Sequence, residues 1–194
     1  MAAAILFPLL LLLLLPLLPG VAAQAAAAPP QPDESPRCVV AGRRNITIAC
    51  DYTPVSSDRH STAPRIALDH AELAFETKGD NWMSMALTFT RLDASAVEDR
   101  PVYVAIDDDL GHNFIRRPLP AVNLAGLVQG KPTRFEQRLL FPGLQPGHYQ
   151  ITLWIPSNDP AAKFQAGRNL LVSSAGVADP KTGLNKIAAF TVAN

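Results

Sequence analysis

The sequence predicts an all-β protein, an immunoglobulin-like antiparallel β-sandwich over residues 65–194. Short apolar runs recur along this part of the chain with a period of two, which is typical of strands that bury one face. Clusters of Gly, Pro and Asp separate the runs and supply the backbone angles of tight turns. No long helical stripe follows the N-terminal region. Many short strands joined by turns at this spacing indicate a sandwich.

The stretch Trp82–Arg91 shows the alternation most clearly. Its apolar residues share one parity and its small or hydroxyl-bearing residues share the other, the apolar set being Met83, Met85, Leu87 and Phe89. We predict a half-buried strand here. Further strands are expected at 39–41, 45–49, 72–77, 102–106, 135–141, 149–155, 169–173 and 186–192. Asp159-Pro160 combines a helix N-cap residue with a first-turn proline, and predicts one short turn that runs to Phe164.

The chain carries no excess charge. Its 17 Lys and Arg balance 17 Asp and Glu among 194 residues. This balance excludes a broadly basic nucleic-acid binder, so we expect no nucleic-acid partner.

Residues 1–23 have the features of an export signal. The segment is apolar and uncharged, prolines interrupt it, and Val21-Ala22-Ala23 supplies the small residues that signal peptidase accepts. We expect cleavage after Ala23; the alternative is an uncleaved anchor, for which the apolar run is short. Residues 24–37 are rich in Ala and Pro and are expected to form a flexible leader. The sequence therefore predicts a secreted protein whose mature form has no membrane span.

Cys38 and Cys50 are the only cysteines in the chain. An exported protein meets an oxidising environment, so the pair predicts one intrachain disulfide. Short strands flank a turn between the two cysteines, so the bridge would close a hairpin within the segment 38–64, whose remainder has the composition of a polar loop. Asn45-Ile46-Thr47 is an N-glycosylation sequon, which makes Asn45 the predicted glycan acceptor.

The run Leu144-Gln145-Pro146-Gly147-His148-Tyr149 precedes a strongly alternating segment. A Leu-x-Pro-Gly-x-Tyr run in this position is common in immunoglobulin-like sandwiches, where the tyrosine hydroxyl hydrogen-bonds back to nearby backbone. We therefore predict structural roles for Pro146, Gly147 and Tyr149 in a tyrosine corner.

Four short motifs occur in order within residues 65–194. They are the Leu144-to-Tyr149 run, Leu153-Trp154-Ile155-Pro156, Asp159-Pro160 and Thr182-Gly183-Leu184-Asn185. In this order the region resembles a family of unknown function, a C-terminal β-sandwich that follows a glycosidase-like barrel in secreted bacterial and fungal proteins. The residues before 65 do not resemble the barrel, and Ser173-Ser174 stands where the family has an Ala-Asn pair. The resemblance implies an accessory sandwich that meets carbohydrate, and it supplies no catalytic residues.

The two tryptophans give the most specific hint of binding. Trp154 shares the strand parity of Gln150 and Thr152, and Trp82 shares that of small or hydroxyl-bearing neighbours. Exposed aromatic faces beside hydroxyls and amides can stack on sugar rings. Trp82, Trp154, Thr152 and Gln150 are therefore the candidate ligand-binding residues. The alternative is that a long loop, such as 118–132, folds over this face and covers Trp154.

The sequence contains no recognisable catalytic or metal-binding motif. Hydrolysis needs paired carboxylates or a nucleophile with a base, and the spacing pairs none of the acids or the four histidines. Asp107-Asp108-Asp109 with Gly111 lacks the spacing of a calcium loop and favours a hairpin turn. We therefore expect no catalytic residues, metal or cofactor.

Taken together, these patterns favour a non-catalytic exported binding or interaction module that contacts carbohydrate or another extracellular protein. One alternative is a secreted hydrolase or inhibitor whose active loop follows no known motif. Another is a structural surface protein. The sequence leaves the oligomeric state open.

Overall fold

The computed structural model describes residues 36–42, 45–55, 65–76, 82–108, 113–141 and 143–193. All of them belong to one compact unit, Asp33–Asn194. The predicted signal segment, nearly all of the leader and most of the polar loop lie outside the described residues. The described chain is all-β and forms a two-sheet sandwich, which confirms the predicted fold class at this level.

Ten strands form two five-stranded antiparallel sheets in the described chain. The first sheet contains β1 (Arg37–Ala41), β2 (Ile46–Asp51), β3 (Ile66–Glu76), β4 (Trp82–Arg91) and β7 (Thr133–Leu140), in the order β1-β2-β3-β4-β7. The second sheet contains β5 (Tyr103–Asp108), β6 (Asn113–Pro118), β8 (Gly147–Trp154), β9 (Ala178–Asp179) and β10 (Leu184–Val192), in the order β6-β5-β8-β10-β9. Ala166–Arg168 form a single 3₁₀ turn.

The inner faces of the two sheets share one hydrophobic core. The apolar residues of β4 and the alternating Ile151 and Leu153 of β8 belong to the same buried cluster. Phe75 of β3 stacks on Phe190 of β10 with ring centres 5.2 Å apart, so aromatic rings join the sheets. Burial of alternate residues along each strand is what the period-two sequence pattern predicts.

The predicted Cys38–Cys50 disulfide is confirmed. The two cysteines lie directly opposite each other across β1 and β2. Strand β2 pairs with β3 from Ile46 to Asp51, so the hairpin extends the first sheet. Strand β1 is the edge of that sheet, and all of its residues are exposed. Asn45, the predicted glycan acceptor, is exposed just before β2.

The turn before β8 has the hydrogen bond expected of a tyrosine corner. The Tyr149 hydroxyl donates to the Gln145 carbonyl oxygen at 2.9 Å. Pro146 is exposed in this turn. A Cβ atom at Gly147 would lie 3.7 Å from the Tyr149 ring, which is an ordinary contact. The turn therefore has room for a larger residue at Gly147.

The expected strand at 169–173 does not form. Asn185 of β10 is fully buried, and its Oδ1 accepts a hydrogen bond from the Val172 N–H at 2.8 Å. Its Nδ2 donates to the carbonyl oxygens of Leu170 and Leu153 at 3.0 and 3.3 Å. This one side chain supplies hydrogen bonds that a neighbouring strand would otherwise make, so Leu170 and Val172 are buried without entering a sheet.

Within the described ranges, no helix has the length and apolar character needed to cross a membrane. The disulfide is compatible with an extracellular protein.

Candidate functional site

The outer face of the second sheet carries three of the four predicted ligand-binding residues. Along β8, Ile151 and Leu153 point into the core, so Gln150, Thr152 and Trp154 lie on the opposite side of the strand. The structure therefore brings these three side chains onto one face.

A groove of about 650 Å³ runs over this face; we call it the outer groove. Ala105 of β5 lies opposite Thr152, and Lys186 of β10 flanks Thr152 on its other side. Arg116 of β6 lies next to Ala105. The lining offers both hydrogen-bond donors and acceptors, which include Asp107, Asp108, Arg116, His148, Gln150, Thr152, Asp179 and Lys186.

Thr152 is a buried hydroxyl residue in the lining of the outer groove. It is 2% exposed, and its hydroxyl oxygen has no hydrogen-bond partner among the residues that the structure describes. Leaving a buried polar group unpaired costs about 1–3 kcal/mol. Because such groups are rare in folded proteins, Thr152 is a candidate contact for a polar group of a ligand.

Lys186 and Asp179 form an ion pair in the outer groove. The Lys186 Nζ lies 3.0 Å from Asp179 Oδ2. The hydrogen bond from the Lys186 ammonium, aided by the backbone N–H groups of Lys181 and Thr182, holds the pKa of Asp179 below its ordinary value. Asp179 is therefore an ionised acceptor at neutral pH.

An aromatic stack borders the outer groove beside Arg116; we define it as Tyr103, Trp154 and Phe164. The Tyr103 and Trp154 ring centres are 5.1 Å apart, and Phe164 stacks on Trp154 at 5.7 Å with 20° between the ring planes. The Arg116 guanidinium carbon lies 4.9 Å from the centre of the Trp154 ring, and the Lys163 Nζ lies 5.7 Å from it. Both cations are within the range of cation–π attraction.

The exposure of the aromatic stack bears on the two alternatives for Trp154, an open face or a covered ring. Trp154 is only 6% exposed, whereas Phe164 is 79% exposed. Phe164 stacks on Trp154, and Arg116 and Lys163 lie near the same ring. The loop 118–132 contributes to the core through Leu119, Val122, Leu124 and Leu127. The aromatic surface offered to a ligand is therefore the Phe164 ring, with Trp154 as its support.

The turn 159–164 positions Phe164. The Asp159 Oδ1 accepts a hydrogen bond from the Ala161 N–H at 3.0 Å, and the Asp159 carbonyl oxygen accepts one from the Ala162 N–H at 3.0 Å. Pro160 restricts the backbone between them, and Ala162 is buried. The short turn that Asp159-Pro160 predicts is confirmed.

Trp82 lies on the other side of the sandwich from the aromatic stack. It belongs to β4 of the first sheet and alternates with the buried Met83, so it faces outward. The Arg138 guanidinium carbon lies 4.6 Å from the Trp82 ring centre, and Arg138 also pairs with Glu76 at 2.9 Å. The structure therefore separates Trp82 from the other three predicted residues.

The outer face of the first sheet has a smaller groove of about 390 Å³. Arg134 crosses it and pairs with Glu72 at 3.1 Å and with Glu136 at 2.9 Å. Its charged residues thus satisfy one another, which is typical of a solvated strand face. We therefore take the outer groove of the second sheet as the candidate site.

A histidine–carboxylate contact occurs on the first sheet, where His70 Nδ1 lies 2.7 Å from Asp51 Oδ1. Within the described chain, no hydroxyl or thiol group is hydrogen-bonded to this histidine. No cluster of three or more His, Cys, Asp or Glu side chains that could hold a metal occurs in the described residues. The calcium alternative at Asp107–Asp109 depends on residues 109–112, which lie outside the described part.

Sequence reasoning missed four residues of the site: Tyr103, Arg116, Lys163 and Phe164. Phe164 carries the clearest signal, because it is an aromatic residue in a polar turn that follows Asp159-Pro160. Arg116 was visible only as half of an Arg-Arg pair. Their association with Trp154 depends on contacts between distant strands and turns, which spacing does not reveal.

No protein-family model, curated protein or solved structure matches the chain. Its class therefore follows from the structure itself, as a two-sheet antiparallel β-sandwich with a polar groove and an aromatic stack on one outer face.

Proposed function

We propose that the chain is a secreted, non-catalytic binding module that contacts carbohydrate through the outer groove and the aromatic stack. The observation that carries this proposal is the exposed Phe164 ring, which rests on Trp154 beside a groove that offers both donors and acceptors. A sugar ring presents an apolar face and hydroxyl groups that both donate and accept. Phe164 would pack against the apolar face, and the groove would hydrogen-bond the hydroxyls.

The proposal includes an immunoglobulin-like topology for the sandwich. The order β3-β4-β7 in one sheet and β5-β8-β10 in the other corresponds to strands A-B-E and C-F-G of immunoglobulin domains. The Tyr149–Gln145 hydrogen bond at the entry to β8 also supports this assignment. In this arrangement the candidate site lies on the outer side of the C-F-G sheet.

The charges in the outer groove support binding over hydrolysis. A glycosidase needs a general acid with a raised pKa. The pKa of Asp179 is instead lowered by its hydrogen bond from Lys186, so this carboxyl suits an acceptor role.

Tryptophan fluorescence tests the proposal directly. The chain has two tryptophans, so a Trp82→Phe variant leaves Trp154 as the single reporter under Phe164. We expect one or more neutral polysaccharides in a panel to change its emission. Phe164→Ala should weaken that binding about tenfold, because it removes the stacking platform.

Leu140→Ala is the matched control for Phe164→Ala. Leu140 is an exposed apolar residue, 54% accessible, on the outer face of the first sheet. Binding should survive this change. Equal losses in the two variants, or no response to any polysaccharide, would contradict the proposal.

A further inference from the structure

We infer that the carbohydrate bound at this site carries a carboxylate or sulfate group, and that Arg116 and Lys163 bind this group beside the aromatic stack. The inference rests on the proposed function and specifies the class of ligand. It is drawn from the charges around Trp154, from their lack of carboxylate partners and from the buried Thr152 hydroxyl.

Several cations of the described chain are held in ion pairs, and Arg116 and Lys163 are among those that are not. Lys186 pairs with Asp179, Arg134 with Glu72 and Glu136, and Arg138 with Glu76. Among the described residues, no carboxylate pairs with Arg116 or Lys163. Their charges are thus available to a ligand without breaking an ion pair.

The two unpaired cations lie near one ring. Arg116 Cζ is 4.9 Å from the Trp154 ring centre and Lys163 Nζ is 5.7 Å from it, and Lys163 Nζ is also 5.6 Å from the Tyr103 ring centre. The rings hold both side chains in place. Both cations therefore border the same ring, and a bound anionic group would be attracted by both charges. Arg in particular binds carboxylate and sulfate oxygens through paired N–H donors.

Thr152 adds a donor near Arg116. Ala105 lies between them in the sheet, with Arg116 paired on one side and Thr152 on the other. The small Ala105 side chain leaves space on this row. The Thr152 hydroxyl has no hydrogen-bond partner among the described residues, so it is a further candidate donor beside Ala105.

Dextran, carboxymethyl-dextran and dextran sulfate of matched length test the inference with the whole protein, because the backbone is constant and only the charge changes. We expect one or both charged polymers to bind at least about tenfold more tightly than dextran at low salt. That advantage should shrink as salt is added. The two charged polymers distinguish carboxylate from sulfate as the preferred group.

Arg116→Gln and Lys163→Gln should each remove most of the advantage of the charged polymers over dextran. Arg117→Gln is the matched control, because it removes the same charge from the same strand on the side of the buried Ile115. Thermal melting of each variant checks that folding is intact.

Equal losses from Arg116→Gln and Arg117→Gln would overturn the inference, since they would indicate a general attraction of polyanions. Equal binding of dextran and both charged polymers, or no binding of either charged polymer, would also overturn it. The neutral polysaccharide panel decides the proposed function separately, so failure of the ligand class and failure of carbohydrate binding are distinguishable.

Discussion

Gly183 precedes β10 with a φ of +69°, in the left-handed region that favours glycine. A Cβ atom there would lie 2.7 Å from both Cα and the carbonyl oxygen of Ala166, and 2.6 Å from Asn169 Nδ2. The backbone of the 3₁₀ turn thus packs directly against this position. Two separate physical reasons, conformation and space, require glycine here.

We predict that Gly183→Ala lowers the free energy of unfolding by about 3 kcal/mol or more, from left-handed strain and a backbone clash together. Urea denaturation measures this change. Gly130→Ala is the control, because Gly130 has a φ of +70° but no atom within 4 Å of the added Cβ. It should cost only about 1–2 kcal/mol. Similar losses in the two variants would contradict the packing part of the prediction.

At the scale of single residues, sequence reasoning predicts local chemistry well and distant contacts poorly. The disulfide of Cys38 and Cys50 follows from composition and compartment alone. The exposure of Trp154 does not, because it depends on Phe164, ten residues later, folding back over its ring. That Arg116 has no carboxylate partner among the described residues likewise depends on where the acidic residues of other strands lie.

At the scale of elements, the alternation of apolar residues predicts strands where a strand buries one face. Both ends of β4 match the prediction. Strand β6 was missed because Asn113–Pro118 contains adjacent arginines and a proline at its end, as suits the edge of a sheet. The strand predicted at 169–173 does not form because the Asn185 side chain supplies hydrogen bonds that a partner strand would make. No local sequence pattern indicates this role of Asn185.

Strand β1 is an element whose attachment can be tested. It pairs only with β2, its residues are exposed, and the disulfide ties it to β2. We predict that replacing Cys38 and Cys50 together by Ala accelerates amide exchange in β1 at least about tenfold, because the hairpin then opens without the cross-link. Hydrogen exchange with mass spectrometry measures the effect.

The opposite edge of the same sheet, β7, serves as the internal control for this double variant. Its amides and those of β4 should keep their exchange rates, since neither strand contacts β1 in the sheet order. A uniform increase across the first sheet would mean that the disulfide supports the whole sandwich, contrary to this prediction.

At the scale of the whole molecule, the sequence predicts two sheets but not which sheet carries each tryptophan. The alternation along each strand places Trp82 and Trp154 on the outward side of their own strands. It cannot say that β4 and β8 belong to different sheets, which puts the two rings on opposite sides. That assignment depends on the pairing of strands far apart in sequence, so the candidate site could be predicted only in part.

Tyr52 links the two sheets, and its buried hydroxyl makes the free energy of unfolding fall at alkaline pH. Its hydroxyl donates to the carbonyl oxygen of Ile187 in β10 at 2.9 Å. Burial, with a smaller effect from Asp51, raises the pKa of Tyr52 well above its ordinary value. The folded state therefore keeps the proton where the unfolded chain loses it, so stability is full below about pH 10 and falls as the pH rises further.

We predict that Tyr52→Phe lowers the free energy of unfolding by about 1 kcal/mol at neutral pH, because it removes the hydrogen bond. The variant should also lose stability less steeply than the parent above about pH 10. Urea midpoints measured from pH 8 to 11 check both effects. The control is Tyr103→Phe on the outer face, whose free energy of unfolding should fall with pH as steeply as that of the parent. If the free energy of unfolding of Tyr52→Phe fell as steeply as that of the parent, the role of the Tyr52 hydroxyl would be refuted.

Under the proposed function, the turn that carries Phe164 is a separable recognition element. The turn occupies 159–164, its backbone bonds are mostly internal, and Ala162 is its buried anchor. The two sheets, by contrast, draw their packing from strands and from the loop 118–132. Under the proposed function, substitutions within the turn 159–164 can therefore change which ligand is bound while the two sheets and their folding remain as they are.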